Sequence, residues 1–178
     1  GYLIDKNRRE FIAIVIEMQF CMEKKGHFPI LKLELDTYPI KNSEDLFEEL
    51  QKSRKTDFKA KRTLSGPHKT DLLVSHGLKK MQAKNCSTGE QKSLLLSLFI
   101  LSSLAISKKF RKPPVILLDE IVAHLDKENL SIFLDQLIGI NAQIFATGTD
   151  KKNLDMLPTD AVLFSLDCNG GESKVFLS

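Results

Sequence analysis

Near the start of the chain Phe11, Ile14, Val15, Met18 and Met22 recur at i, i+3, i+4, i+7 and i+11, the spacing of one helical face. This predicts a helix over Asp5 to Lys25, closed by Gly26. Ile12, Ile16 and Phe20 carry the apolar surface almost all round, so the run Phe11 to Ile16 also suits a buried strand. From Ile30 to Asp36 the period drops to two. Leu31, Leu33 and Leu35 share one side and Lys32 and Glu34 the other, the pattern of a half-exposed strand, which Pro39 ends. Asn42 or Ser43 can cap the next helix, with Glu44, Asp45, Glu48 and Glu49 early and Lys52, Arg54 and Lys55 late, an order that complements a helix macrodipole. The basic run continues through Lys59, Lys61 and Arg62. It reads either as a solvated helix end or as a contact for a phosphate backbone.

After Gly66 and Pro67, which can open a strand at Asp71 to Val74, long helices alternate with short apolar runs. Glu90 to Ile106 is strongly apolar and helical, and Pro113 with Pro114 prevents its continuation. Val115 to Leu118 is an aliphatic run of the kind buried on both sides of a parallel sheet. Lys127 to Ile138 places Leu130, Phe133, Leu134, Leu137 and Ile138 on one helical face, with Gly139 at its stop. Gln143 to Thr147 and Ala161 to Leu166 suit strands, and Asn169-Gly170-Gly171 suits a turn into a last strand, Lys174 to Leu177. The expected fold class is α/β with parallel strands.

Composition narrows this without redirecting it. The 178 residues are 42% hydrophobic and 28% charged, which fits one globular domain and excludes a disordered or fibrous chain. A net charge of +3 is too mild to mark a nucleic-acid or membrane protein by charge, so any basic surface must be local. Cys21, Cys86 and Cys168 form neither a C-x-x-C pair nor a zinc pattern, which favours a reducing, cytoplasmic setting. The apolar stretch Leu94 to Ile106 is thirteen residues and is broken by Ser97, Ser102 and Ser103, short of a membrane span. A start at Gly1 followed by Tyr2 is expected for a chain that begins inside a longer reading frame.

The chemistry concentrates after Val115. An aliphatic strand ending in Asp119 and Glu120 puts two carboxylates at the C-terminal edge of a sheet, where open α/β folds bind ligands. There the first can hold magnesium and the second can act on a water in phosphoryl transfer. The plainer alternative is a strand end that caps the next element. Upstream, Ser87-Thr88-Gly89-Glu90-Gln91 opens the apolar helix. Ser87 and Glu90 make a capping box, which leaves Gly89 unexplained unless something approaches the backbone closely. A phosphate at a helix N-terminus would do so. Downstream, Asp126 is the natural N-cap of the Lys127 helix, and Gly148-Thr149-Asp150 supplies a second polar strand tip.

The order S-T-G-E-Q, an aliphatic strand ending D-E, A-x-L-D, then a strand ending T-G-T-D resembles the C-terminal lobe of an ABC-class ATPase head. Within that class it is most similar to the RecF family of SMC-related DNA replication, recombination and repair proteins. The segments Ser65-Gly66-Pro67-His68-Lys69-Thr70-Asp71-Leu72 and Gln143-Ile144-Phe145-Ala146-Thr147-Gly148-Thr149-Asp150 carry the likeness. It covers about Thr63 to Asp150. The resemblance implies that residues 1–26 end a helical arm and that 27–178 form the C-terminal lobe. It implies ATP and Mg2+ as cofactors, with Asp119 at the metal and Glu120 acting on the attacking water. Ser87, Gly89 and Gln91 would face the nucleotide of an opposite protomer, with Asp126 on the dimer seam. Thr149 falls where many such ATPases carry a switch histidine; His124 and His68 are candidate substitutes for it, but a turn or core histidine is the commoner explanation for each. The implied partners are single-stranded or gapped DNA, a RecR-type mediator protein and a second copy in an ATP-dependent homodimer, with no membrane.

One element of that class is missing from this chain. None of its nine glycines precedes a Lys-Thr or Lys-Ser pair as a phosphate-binding P-loop requires, and Lys69-Thr70 follows His68. Hydrolysis is therefore expected only together with a P-loop-bearing N-terminal lobe. Two alternatives stay open, another SMC-like or ABC-class head and a non-catalytic interaction fragment.

Overall fold

A computed structural model describes residues 1–22, 27–36, 40–120, 125–148, 157–158, 160–169 and 172–177, from 167 onward by backbone alone. Gly26, Pro39, His124, Thr149, Asp150, Gly170 and Gly171 lie outside the described residues. The first helix, α1 (Tyr2–Met22), starts before the apolar pattern does and buries Val15 completely, so Phe11 to Ile16 is helical. Strand β1 (Leu31–Asp36) buries Leu31 and Leu33 and exposes Lys32 and Glu34, as its alternation predicts. Asn42 caps α2 (Ser43–Ala60) by accepting the Asp45 N–H at 2.8 Å.

The Gly66-Pro67-His68 segment forms a junction. Gly66 sits at φ +131°, a conformation that a Cβ would strain. A short turn follows over Pro67–Lys69, and the Arg8 guanidinium of α1 donates to the Pro67 carbonyl at 2.5 Å. His68 Nε2 lies 3.0 Å from the Thr63 carbonyl. The segment thus seats β2 (Asp71–His76) against α1. Strand β2 pairs antiparallel with β1 and with the short β3 (Met81–Gln82).

Helix α3 (Thr88–Phe110) joins two cores because it is apolar on opposite sides. Leu94, Leu101 and Ala105 pack with Val15, Leu31, Leu33 and Cys86. Leu96 and Ile100 pack on the other side with Ile116, Leu118, Leu130, Phe133, Leu134 and Leu137. At 23 residues α3 is longer than the thirteen-residue apolar run suggested, and by length and composition it could cross a membrane. Here it is the shared core helix. Its buried Ser97 donates to the Pro29 carbonyl at 2.8 Å and Ser103 to the Phe99 carbonyl at 2.9 Å.

Strand β4 (Val115–Leu118) and β5 (Gln143–Ala146) are parallel, joined through α4 (Lys127–Gly139). In α4 Leu130, Phe133, Leu134 and Leu137 are buried, whereas Ile138 lies at the edge of the stripe and is 42% exposed. Gly139 is the last helical residue, and Ile140 makes the cap. Two expectations change. The third strand of the series, β6 (Phe164–Asn169), pairs antiparallel with β7 (Glu172–Leu177) rather than extending β4–β5. Strand β4 is covered on one side only: Ile116 and Leu118 face α3 and α4, but Val115 is 62% and Leu117 75% exposed. Among the described residues, nothing is layered on the other face of this two-stranded sheet.

Candidate functional site

The parallel pairing of Leu118 with Ala146 brings the residues beyond each strand together, and Thr147 ties them. Its N–H donates to the Leu118 carbonyl at 2.8 Å, extending the ladder by one bond. Its hydroxyl donates to Asp119 Oδ1 at 2.5 Å and accepts the Glu120 N–H at 3.2 Å. Glu120 is left-handed at φ +50°, unusual for a residue with a Cβ, so the chain turns sharply just after Asp119. Both carboxylates are exposed at the strand edge. Sequence reasoning missed Thr147, reading it only as the end of a strand. The signal available was its place one residue past a strand parallel to the D-E strand.

Among the described residues no group of three or more His, Cys, Asp or Glu gathers to hold a metal. Magnesium is commonly held through one or two carboxylates while waters and phosphate oxygens fill the remaining positions. Asp119, fixed through one oxygen by Thr147, is the residue that fits.

A second polar cluster lies at the start of α3. Ser87 caps the helix in a full capping box: its N–H and hydroxyl both bond Glu90 Oε2, at 2.9 and 2.8 Å, and its oxygen accepts the Glu90 N–H at 3.4 Å. Lys79 Nζ bonds the other Glu90 oxygen. The Lys79 hydrogen bond, and then those from Ser87, hold the Glu90 carboxyl down at about 2, while Glu90 pushes Lys79 up. A Cβ on Gly89 would meet nothing within 4 Å, so packing does not demand glycine, and the backbone of the first turn is open to solvent. The Gln91 side chain is engaged with the preceding loop. Its Nε2 donates to the Cys86 carbonyl at 3.0 Å and the Lys84 carbonyl at 3.4 Å, pinning the loop before α3.

Asp126 is the N-cap of α4, accepting the Asn129 N–H at 2.9 Å and its side-chain amide at 2.7 Å, bonds that lower its pKa. The structure therefore gathers Asp119, Glu120 and Thr147 at one tip and Ser87, Gly89 and Gln91 at another. No hydrogen bond joins these two clusters among the described residues. Thr149 and His124 lie outside the described residues, and His68 belongs to the junction under α1.

No family profile matches the chain. Curated relatives do. The chain is 36% identical over 175 residues to a protein of Rhizobium rhizogenes named DNA replication and repair protein RecF, an alignment covering 94% of this chain and 46% of the relative. It is 42% identical over 123 residues to the protein of the same name from Brucella abortus, covering 69% of this chain and 32% of that one. The chain thus spans about half the length of the first of these. A solved structure described as the recombination mediator protein RecF with ATP in the RecFOR pathway superposes with a TM-score of 0.69, covering 99% of this chain and 47% of that one at 23% identity. That likeness is one of fold.

Proposed function

We propose that this chain, homologous over most of its length to proteins named RecF and sharing their fold, is the C-terminal lobe of a RecF-type ATPase head that acts in DNA repair and recombination. The observation that carries the reading is the tip of β4–β5, where Thr147 braces Asp119 and Glu120 side by side beyond two parallel strands. Phosphoryl transfer needs a carboxylate for magnesium and a second group that positions water, and these two neighbours supply both. Asp119 would hold the magnesium ion, which when bound neutralises phosphate charge. Glu120, turned off the strand at its left-handed φ, would orient or deprotonate the attacking water.

The phosphate cradle and its lysine would come from a P-loop lobe outside this chain. The bare face of β4–β5, with Val115, Leu117 and Phe145 exposed, supports such a partner layer. Ser87 and the open backbone at Gly89 would meet the γ-phosphate of ATP held by a second copy, with Gln91 ordering the loop behind them. Asp126 would lie on the seam of that ATP-dependent homodimer, and Thr149 would take the switch position. Residues 1–26 would end the helical arm, with 27–178 as the lobe. Gapped or single-stranded DNA and a RecR-type mediator would be the cytoplasmic partners.

A second reading rests on the caps. Ser87, Gln91 and Asp126 all have local hydrogen bonds that account for them, which favours an interaction fragment without nucleotide chemistry. Two substitutions separate the readings in a protein joining this chain to a P-loop lobe. Glu120→Gln should retain ATP and prolong the dimer while stopping hydrolysis, and Asp119→Asn should weaken magnesium-dependent ATP binding. Wild-type hydrolysis in Glu120→Gln would remove it from the mechanism.

A further inference from the structure

The distal half of α2 carries a surface that the ATPase reading leaves unused. Leu46, near the start of the helix, is its one buried residue, and from Arg54 onward every residue of the helix but Asp57 is exposed. The side chains of Arg54, Lys55, Lys59, Lys61 and Arg62 are exposed and make no ion pair among the described residues. Asp57 is the sole carboxylate between Lys52 and Arg62, and it is turned inward, accepting from Ser53 Oγ and from the Leu64 N–H, both at 2.9 Å. Phe58 stands among these cations at 87% exposure, the most exposed of the described large apolar side chains, and with Arg54, Lys55 and Lys59 it lines a shallow hollow.

A cationic helix end follows from the macrodipole, but an aromatic ring in water at its centre does not. We propose that this surface binds single-stranded nucleic acid, its cations on successive phosphates and the Phe58 ring stacked on an unpaired base. The geometry favours this occupant over two others. Arg54 to Ala60 spans about 9 Å of helix axis, with Lys61 and Arg62 following at its left-handed end, a run that matches roughly three phosphates along one strand. One apolar side chain is too little to anchor a helix in lipid, which takes a continuous apolar face. A duplex would offer the phosphates but hide the base faces that Phe58 needs. The proposal deepens the nucleic-acid part of the preceding reading and requires no nucleotide, so its failure would leave the ATPase assignment standing.

The test is fluorescence anisotropy of a labelled 20-nucleotide single strand with the 178-residue chain, without ATP. Lys55→Glu with Lys59→Glu should weaken binding by at least about tenfold, because reversed charges repel phosphate. Phe58→Ala should weaken it by about tenfold through lost stacking and leave binding to a duplex of the same sequence unchanged. Raising salt from about 50 to about 200 mM should weaken the parent by roughly 20-fold for three phosphate contacts. These positions are solvent-exposed, so the variants should melt with the parent, and circular dichroism checks that. No binding by the parent, equal affinity in parent and variants, or tighter binding to polyglutamate or anionic vesicles than to the strand would overturn the proposal.

Discussion

Thr147 makes three hydrogen bonds across the ends of β4 and β5, two of them through its hydroxyl. Valine has nearly the same shape and cannot make either. Thr147→Val should therefore lower stability by about 1 kcal/mol, the net worth of a hydrogen bond, and speed hydrogen exchange at the Glu120 amide. Thr147→Ser keeps the hydroxyl and should exchange like the parent. Equal protection of Glu120 in parent and valine variant would show that the hydroxyl does not hold the tip. Residues that act locally were legible in the sequence: Ser87 and Glu90 sit three apart in a helix start, and the capping box is formed as read. Thr147 was not legible, because its partners lie 27 and 28 positions away and depend on strand pairing. The resemblance sets Gln91 toward a nucleotide, and in this structure its amide bonds the loop before α3.

The start of α3 depends on an ionised carboxylate. Glu90 is held at about 2 against an ordinary 4.5, so its contribution is complete above about 4.5 and is lost as pH falls toward 2. Glu90→Gln should accordingly lose less stability than the parent between pH 4.5 and 2, measured by thermal melting across that range. Identical acid limbs would show that neither Lys79 nor Ser87 holds that carboxylate. The box also constrains tests of Ser87: an Asp there would face Glu90, so Ser87→Asn is the cleaner uncharged cap. Element types followed from periodicity in α1, β1, α3 and α4. The depth of burial did not. Val115 to Leu118 is aliphatic throughout, which signals two covered faces, yet Val115 and Leu117 are exposed because, among the described residues, helices lie on one side only.

Taken as a whole molecule, the chain has two cores joined through α3 and presents bare apolar strands beside its best-built polar tip. An aliphatic sequence whose burial is incomplete in one chain is what a lobe completed by another would show, and the chain spans 46% of its Rhizobium rhizogenes relative. In the proposed reading the sequence motifs place ATPase chemistry at this tip, and the P-loop that this chain lacks is supplied by another segment. The central claim is that Asp119 and Glu120 form half of an ATP site. Equilibrium dialysis of ATP with magnesium, on this chain alone and joined to a P-loop-bearing RecF lobe, tests it most directly. The account predicts no saturable binding below millimolar ATP for the chain alone and micromolar binding, weakened by Asp119→Asn, for the joined protein. Micromolar binding by the chain alone, or binding by the joined protein that ignores Asp119→Asn, would contradict it.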